Sequence, residues 1–161
     1  AVRRGKRALV VYEGGESRWL RSDTPTSIMP VQYMMHEAFP GIFAQDREHH
    51  VFRSDWITAF AWLRRAGLFA DMPGDPMFDM SFEKVVPRFV MFGMKPWEFE
   101  AHVHAGLVVG WAHKASALLC ERWFGRGKAV LTTFRVTAEP TGSDPVSTVL
   151  LSKLVRQALL S

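Results

Sequence analysis

The chain has 161 residues, the size of one domain, and its 48% apolar and 22% charged residues are typical of a globular protein. The net charge of +4 lies in residues 1–22, with six basic and two acidic side chains, so no basic face suited to nucleic acid is predicted. No apolar run reaches the roughly 20 residues of a membrane helix, and the single cysteine excludes a multi-cysteine zinc site. We therefore expect a cytoplasmic protein with no nucleic-acid or membrane partner, no metal and no cofactor.

The first predicted element is a strand at residues 7–13, RALVVYE, which ends at Gly14 and Gly15. A continuous apolar run of this kind is typical of a central strand in a parallel sheet. Parallel neighbours need crossover connections, so such a strand rarely opens a complete α/β domain. We therefore expect residues 1–161 to form a single domain that is the C-terminal piece of a longer polypeptide.

Two helices are predicted in the next part of the chain. Residues 31–39 predict a short one. The capping residues Ser54 and Asp55 precede a second, with an apolar stripe and an end at Gly67. Residues 70–100 are rich in proline and glycine and predict irregular structure.

The last third predicts an antiparallel meander followed by a helix. The three strands lie at 106–113, 117–124 and 128–136, joined by connections short enough to force antiparallel pairing. Asp144 and Pro145 then begin a helix over 145–159, whose broad apolar stripe predicts that it lies flat on a sheet. The meander is expected at one side of a mixed sheet, with the first strand at its centre.

The sequence HKASALLCERWFGRGKAVLTTFRV, followed by DPVSTVLLSKLV, resembles the C-terminal end of glycoside hydrolases of family two. Their β-galactosidase-like members often carry a C-terminal domain similar to class I glutamine amidotransferases. The upstream sequence VRRGKRALVVYEGG fits the same domain. The residues that carry the resemblance are Gly125, Gly127, Thr132, Thr133, Arg135, Asp144 and Pro145.

This resemblance implies an α/β fold in three layers, with a flavodoxin- or amidotransferase-like mixed sheet. It also implies a non-catalytic accessory domain of a β-galactosidase-like protein of carbohydrate metabolism. Such a domain would support the architecture or the oligomer of the parent polypeptide and contact carbohydrate, and the parent would carry the hydrolase activity outside this chain. The alternative is a small free-standing enzyme of the amidotransferase-like fold, using other residues such as His102 and Glu100.

The chain departs from an amidotransferase at the nucleophile. That chemistry needs a cysteine on a tight glycine-flanked turn after a strand, with a histidine to activate it. Cys120 instead lies inside LLCERW, without flanking glycine, so we predict a buried small apolar side chain. No catalytic residue is assigned.

Several side chains are candidates for a ligand site or an interface. Glu13, Gly14 and Gly15 follow a strand, and the carboxyl ends of strands are where ligands bind in open α/β sheets. An extended segment at PWEFE would turn Glu98 and Glu100 the same way. The exposed aromatic candidates are Trp19 and Trp97.

Two further expectations concern metal binding and association. His102 and His104 would share one face of a strand, but no third ligand is identifiable, so we predict no metal site. An open edge at the strand 7–13 would favour a homo-oligomer, opposed by the basic residues Arg3, Arg4, Lys6 and Arg7.

Overall fold

Eight strands form one mixed β-sheet in the computed structural model, which describes residues 2–13, 32–34, 42–46, 59–109, 114–138 and 140–160. The strands are β1 (Ala8–Val11), β2 (Gln32–Met34), β3 (Phe43–Asp46), β4 (Ala59–Leu63), β5 (Phe89–Phe92), β6 (Val103–Val109), β7 (Lys114–Phe124) and β8 (Gly127–Thr132). The helices are α1 (Pro96–His102) and α2 (Pro145–Leu160), with 3-10 turns at Val2–Arg4, Gly67–Phe69 and Met80–Phe82. The predicted α/β fold with a mixed sheet and a C-terminal helix is confirmed.

The long strand β7 organises the sheet, because three other strands pair with it. On one edge, β6 pairs antiparallel with the first part of β7, from Lys114 to Cys120. On the other edge, β5 pairs at Ala117, and β8 pairs with Leu119–Phe124. Beyond these neighbours, β4 extends the sheet from β6, β3 and β2 extend it from β5, and β1 extends it from β8.

The predicted meander is confirmed as β6, β7 and β8, although its position is not the expected one. We expected it at one side of the sheet, with the first strand at the centre. In the structure β7 is central, and β1 lies at the end of the described strand order. The parallel character of β1 is confirmed, since it pairs parallel with β8 from Ala8↔Ala129 to Val11↔Thr132.

Both helices predicted in the first half are wrong where the structure describes them. Residues 32–34 of the expected 31–39 helix form β2, and the rest of that range lies outside the described residues. Residues 59–63 of the expected second helix form β4. There Ala61 and Leu63 face one core cluster and Trp62 the other, so the apolar pattern also has a period of two. Pairing with β6 along five residues favours the strand over the predicted helix.

The region 70–100 is more ordered than predicted. It contains β5, which pairs with β3 and β7, and α1, which Pro96 begins at a position where proline is favourable. Gly67, expected to end a helix, instead starts a 3-10 turn with φ +58°. Loops at 70–88 connect these elements.

Apolar side chains form two core clusters on opposite faces of the sheet. Alternate residues of β8 show this: Val130 belongs to one cluster, and Ala129 and Leu131 to the other. The first cluster includes Leu150, Leu154 and Ala158 of α2, so this helix covers that face, as predicted. None of the described helices is long and apolar enough to cross a membrane.

Candidate functional site

A cleft of about 230 Å3 lies where α1 meets the end of β7. Strand β6 pairs with β7 only as far as Cys120, so the last residues of β7 extend past it, next to α1. The cleft therefore combines a strand edge with helix side chains. Its lining residues are Ile42, Met94, Glu98, His102, Cys120, Glu121, Arg122 and Trp123.

The edge of β7 contributes backbone groups to this cleft. The turn at Gly125 and Arg126 has two residues, which makes Phe124 and Gly127 a hydrogen-bonded pair. Hydrogen-bonded and non-hydrogen-bonded pairs alternate along an antiparallel ladder, so the N–H and C=O groups of Glu121 and Trp123 point away from β8. They point toward the edge where β6 and α1 lie, and there the Val103↔Cys120 pair of the β6–β7 ladder already engages the N–H of Glu121.

Two charged side chains form the polar wall of the cleft. The backbone N–H of Lys95 donates to Glu98 Oε2 at 3.0 Å, which fixes the carboxylate over the first turn of α1. The other oxygen, Glu98 Oε1, lies 4.0 Å from the Arg122 guanidinium, and both side chains are about 30% exposed. This loose ion pair lies in the wall of the cleft and connects α1 with β7.

Trp123, near the end of β7, is one of the residues at the cleft, and its side chain is 58% exposed. Lys128 Nζ lies 5.5 Å from the ring centroid, a cation–π contact across the β7–β8 hairpin. The ring therefore lies on the same face of the sheet as Glu121 and α2, opposite to Cys120 and Arg122.

The thiol of Cys120 forms part of the cleft floor but is not placed for nucleophilic chemistry. The side chain is 1% exposed, and burial raises the pKa of the thiol to about 12. The thiol therefore stays protonated at neutral pH, and the thiolate is the nucleophilic form. The predicted role of a buried small apolar side chain is confirmed.

A buried cluster of charged and polar side chains lies around Glu121, which is 8% exposed. Its carboxylate contacts Lys128 of β8 and Gln157 of α2, and its Oε1 lies 3.5 Å from Nε2 of His104. Burial by itself would raise the pKa of Glu121, but the neighbouring His104, Lys128 and Gln157 side chains lower it to about 2. His104 lies close to the carboxylate, although neither of its ring nitrogens makes a directed hydrogen bond. The cluster joins α2, β6, β7 and β8.

The predicted site after β1 is described only at Glu13. Its Oε1 accepts hydrogen bonds from the backbone N–H of Thr137 at 2.9 Å and from the Thr137 hydroxyl at 2.8 Å. Glu13 thus ties the end of β1 to the segment after β8. Gly14, Gly15 and Trp19 lie outside the described residues.

The expectation that Glu98 and Glu100 point the same way is wrong, because the segment is helical. Side chains two positions apart on a helix point in directions about 200° apart around its axis. Glu98 lines the cleft, whereas Glu100 is exposed and its carbonyl accepts from Arg64 at 2.5 Å. Trp97 is 63% exposed, and Lys95 Nζ lies 5.0 Å from its ring centroid.

The two histidines do not share a face either. His102 ends α1 and lines the cleft, while His104 lies in β6 beside Glu121 and lines a second cleft of about 390 Å3 against α2. The helix-to-strand change between them separates the two side chains. Within the described residues, no three or more His, Cys, Asp or Glu side chains are grouped to hold a metal ion.

The sequence singled out Glu98 and His102, but it did not point to Arg122 or Glu121. One signal was available: Glu121 and Arg122 interrupt the apolar run ALLCERWF, and a charge inside a central strand needs a partner. The identity of those partners depends on α2, which no local pattern reveals.

Comparison with models of protein families, with curated proteins and with solved structures finds no match to this chain.

Proposed function

We propose that this chain is a non-catalytic accessory domain of a β-galactosidase-like glycoside hydrolase, supporting the architecture or the oligomer of a parent polypeptide. Its fold would then be the three-layer, amidotransferase-like arrangement that the sequence resembles. The resemblance rests on Gly125, Gly127, Thr132, Thr133, Arg135, Asp144 and Pro145.

The proposal is supported by the structural roles of three of these residues, Gly127, Thr132 and Asp144. Gly127 lies directly against the backbone carbonyls of Val2 and Lys6, where a side chain would collide. The Thr132 hydroxyl donates to the carbonyl of Leu118 at 3.0 Å. Asp144 Oδ2 accepts from the backbone N–H of Ser147 at 2.7 Å and caps α2. Each is an architectural role.

The environments of the candidate catalytic groups also support a non-catalytic role. The Cys120 thiol is buried and protonated. Glu121 is held in a buried cluster, and Glu98 and Glu100 diverge from α1. Glycoside hydrolysis by the usual mechanism needs two carboxyls facing one bond, about 5–9 Å apart. The free-standing enzyme with His102 and Glu100 as its pair gains no support, since Glu100 is not among the residues that line the cleft.

Two measurements test the proposal. An antibody against this chain should detect, in the native source, a polypeptide longer than 161 residues that co-purifies with hydrolysis of nitrophenyl β-galactoside or β-glucuronide. The isolated chain should hydrolyse neither substrate. A free polypeptide of 161 residues in the source would overturn the proposal. So would turnover by the isolated chain that persists in the Glu98→Gln and Glu100→Gln variants.

A further inference from the structure

We propose that the outer edge of β1 is a homodimer interface, at which β1 of a second copy pairs antiparallel about a two-fold axis at Val10. This pairing joins the two sheets into one continuous sheet. The inference deepens the proposed function and rests on it for the oligomer-supporting role. It names the second copy as the partner and gives the surface and the register through which the two copies meet.

The outer edge of β1 carries backbone groups that can pair with a further strand. The backbone N–H of Tyr12 donates to the carbonyl of Thr132 in β8 at 2.8 Å. Backbone groups of successive residues point to opposite edges of a strand, so Leu9 and Val11 direct their N–H and C=O groups away from β8. Among the described residues these outward groups make no hydrogen bond, and β1 ends the strand order. Such an edge is a template for another strand.

The residues at the two ends of β1 make this edge complementary to itself. A two-fold axis at Val10 places Leu9 opposite Val11 of the second copy, and Arg7 opposite Glu13 of the second copy. All four face outward, so they form hydrogen-bonded pairs that each exchange two N–H···O bonds. Their side chains share the α2 face, because side chains alternate along a strand. Opposite charges directly across an antiparallel pair are favourable, which selects this register.

Both charged side chains keep a group for the second copy. The Arg7 side chain is exposed and donates through Nη1 to the carbonyl of Leu159. Glu13 accepts its two hydrogen bonds from Thr137 through Oε1. Within the part of the chain that the structure describes, Arg7 Nη2 and Glu13 Oε2 make no further hydrogen bond or ion pair.

An apolar flank of α2 lies on the same side as the β1 edge. Leu151, Val155 and Leu159 are four residues apart and form one stripe along the helix. Gln157, which contacts Glu121 of β7, points about 200° away from Val155, so the stripe lies toward β1. Val155 is 42% exposed and Leu159 is 68% exposed. The flank therefore presents apolar surface next to the open strand edge.

Pairing at β1 brings the two copies of this flank together. Helix α2 covers β8 and β1, since Leu154 shares a core cluster with Val130 and Leu9. A two-fold axis perpendicular to the joined sheet keeps both α2 helices on one face. With strands about 4.8 Å apart, the two helices lie about 10 Å from each other, a usual distance for packed helices. The second copy thus covers the strand edge and the exposed apolar flank at once.

Oxidative cross-linking tests the register. Val10→Cys places one thiol from each copy directly opposite the other, with Cα atoms about 4.5 Å apart, which a disulfide can span. Val11→Cys is the matched control, because its two thiols are diagonal neighbours about 7–8 Å apart, too far for a disulfide. With oxidised glutathione at about 50 μM chain, we expect a disulfide-linked dimer for Val10→Cys and little for Val11→Cys. Equal cross-linking of the two variants, or none in Val10→Cys, would overturn the proposal.

Sedimentation tests the α2 flank without cysteine chemistry. At about 0.15 M salt the wild-type chain should dimerise with a dissociation constant of about 1–50 μM. Leu159→Ser should weaken the dimer at least about fivefold, because it removes an apolar contact from both copies. Leu160→Ser is its control, since Leu160 is equally exposed at 69% but lines the second cleft beside Lys153. A wild-type chain that stays monomeric to about 200 μM, or equal losses in the two variants, would refute the interface.

These outcomes are separable from those of the proposed function. A chain that belongs to a larger β-glycosidase but stays monomeric refutes only the β1 interface. A free polypeptide of 161 residues that cross-links at Val10→Cys refutes only the accessory role.

Discussion

Glu121 is the residue whose environment departs most from that of an ordinary surface carboxylate, because it is buried against Lys128, His104 and Gln157. Its pKa is about 2 in the folded chain against an ordinary value of 4.5. The unfolded chain therefore takes up this proton at a higher pH than the folded chain does. The stabilisation by the ionised cluster is complete above pH 4.5 and is lost as the pH falls toward 2.

We expect the free energy of unfolding to fall by about 3 kcal/mol between these two pH values because of Glu121. Urea denaturation at several pH values, on the wild type and on Glu121→Gln, measures this contribution. The hydroxyl of Ser81 lowers the pKa of Asp79, and Lys153 lowers that of Asp71, but both proteins retain these carboxyls. Parallel pH profiles for the two proteins would contradict the prediction.

Cys120 offers a second prediction at this scale. Since its thiol is buried with a pKa of about 12, native protein at pH 8 should react with a thiol reagent only after unfolding. Cys120→Ser should cost about 1–3 kcal/mol, because it places a hydroxyl in an apolar cluster. Reaction with the reagent at the rate of a free thiol would show that the cleft floor opens in solution.

The N-cap of helix α2 gives a testable prediction about the stability of a single structural element. Asp144 is 8% exposed and caps the helix through Ser147, whose own hydroxyl donates to the carbonyl of Val136 at 3.1 Å. Asp144→Ala should cost about 1 kcal/mol in thermal or chemical denaturation, the usual loss for an N-cap. Asp75→Ala, at an exposed aspartate in a loop, is the control and should change stability by less than about 0.5 kcal/mol.

The contact between the β7–β8 turn and the N-terminal segment gives a second prediction about a structural element. An alanine Cβ at Gly127 would collide with the carbonyls of Val2 and Lys6, and backbone cannot yield as a flexible side chain does. We expect Gly127→Ala to cost at least about 2 kcal/mol. Gly74→Ala is the comparison: its φ is +82° but the space around it is open, so only the backbone strain of about 1 kcal/mol remains. Equal losses for the two variants would contradict the close contact.

At the scale of the whole molecule, the proposed homo-oligomer predicts a salt dependence. β1 lies at the end of the described strand order, beside the exposed basic residues Arg3, Arg4, Lys6 and Arg7. Two copies that meet at β1 would bring these charges together, and salt screens such repulsion over about 10 Å at 0.1 M. Sedimentation should therefore show a dimer or larger assembly that tightens as salt rises.

Arg3→Ser combined with Arg4→Ser should flatten this dependence by removing half of the cluster without altering β1. A monomer at both low and high salt would refute association through this edge.

The sequence by itself determined the elements with strong local signals. Asp144 and Pro145 followed by a helical apolar stripe predict α2, and two short turns predict β6, β7 and β8, because connections of that length permit only antiparallel neighbours. The buried state of Cys120 followed from its place inside an apolar strand.

Only the tertiary structure decided the identity of β4, the order of the strands and the candidate site. The pattern around Trp62 fits a period of 3.6 as well as one of two, and pairing with β6 selects the strand. Glu98 and Glu100 face apart because their segment is helical. Glu98 and Arg122 meet in one cleft because β7 extends beyond the end of β6, next to α1. Such proximity depends on contacts between distant segments, which local sequence does not encode.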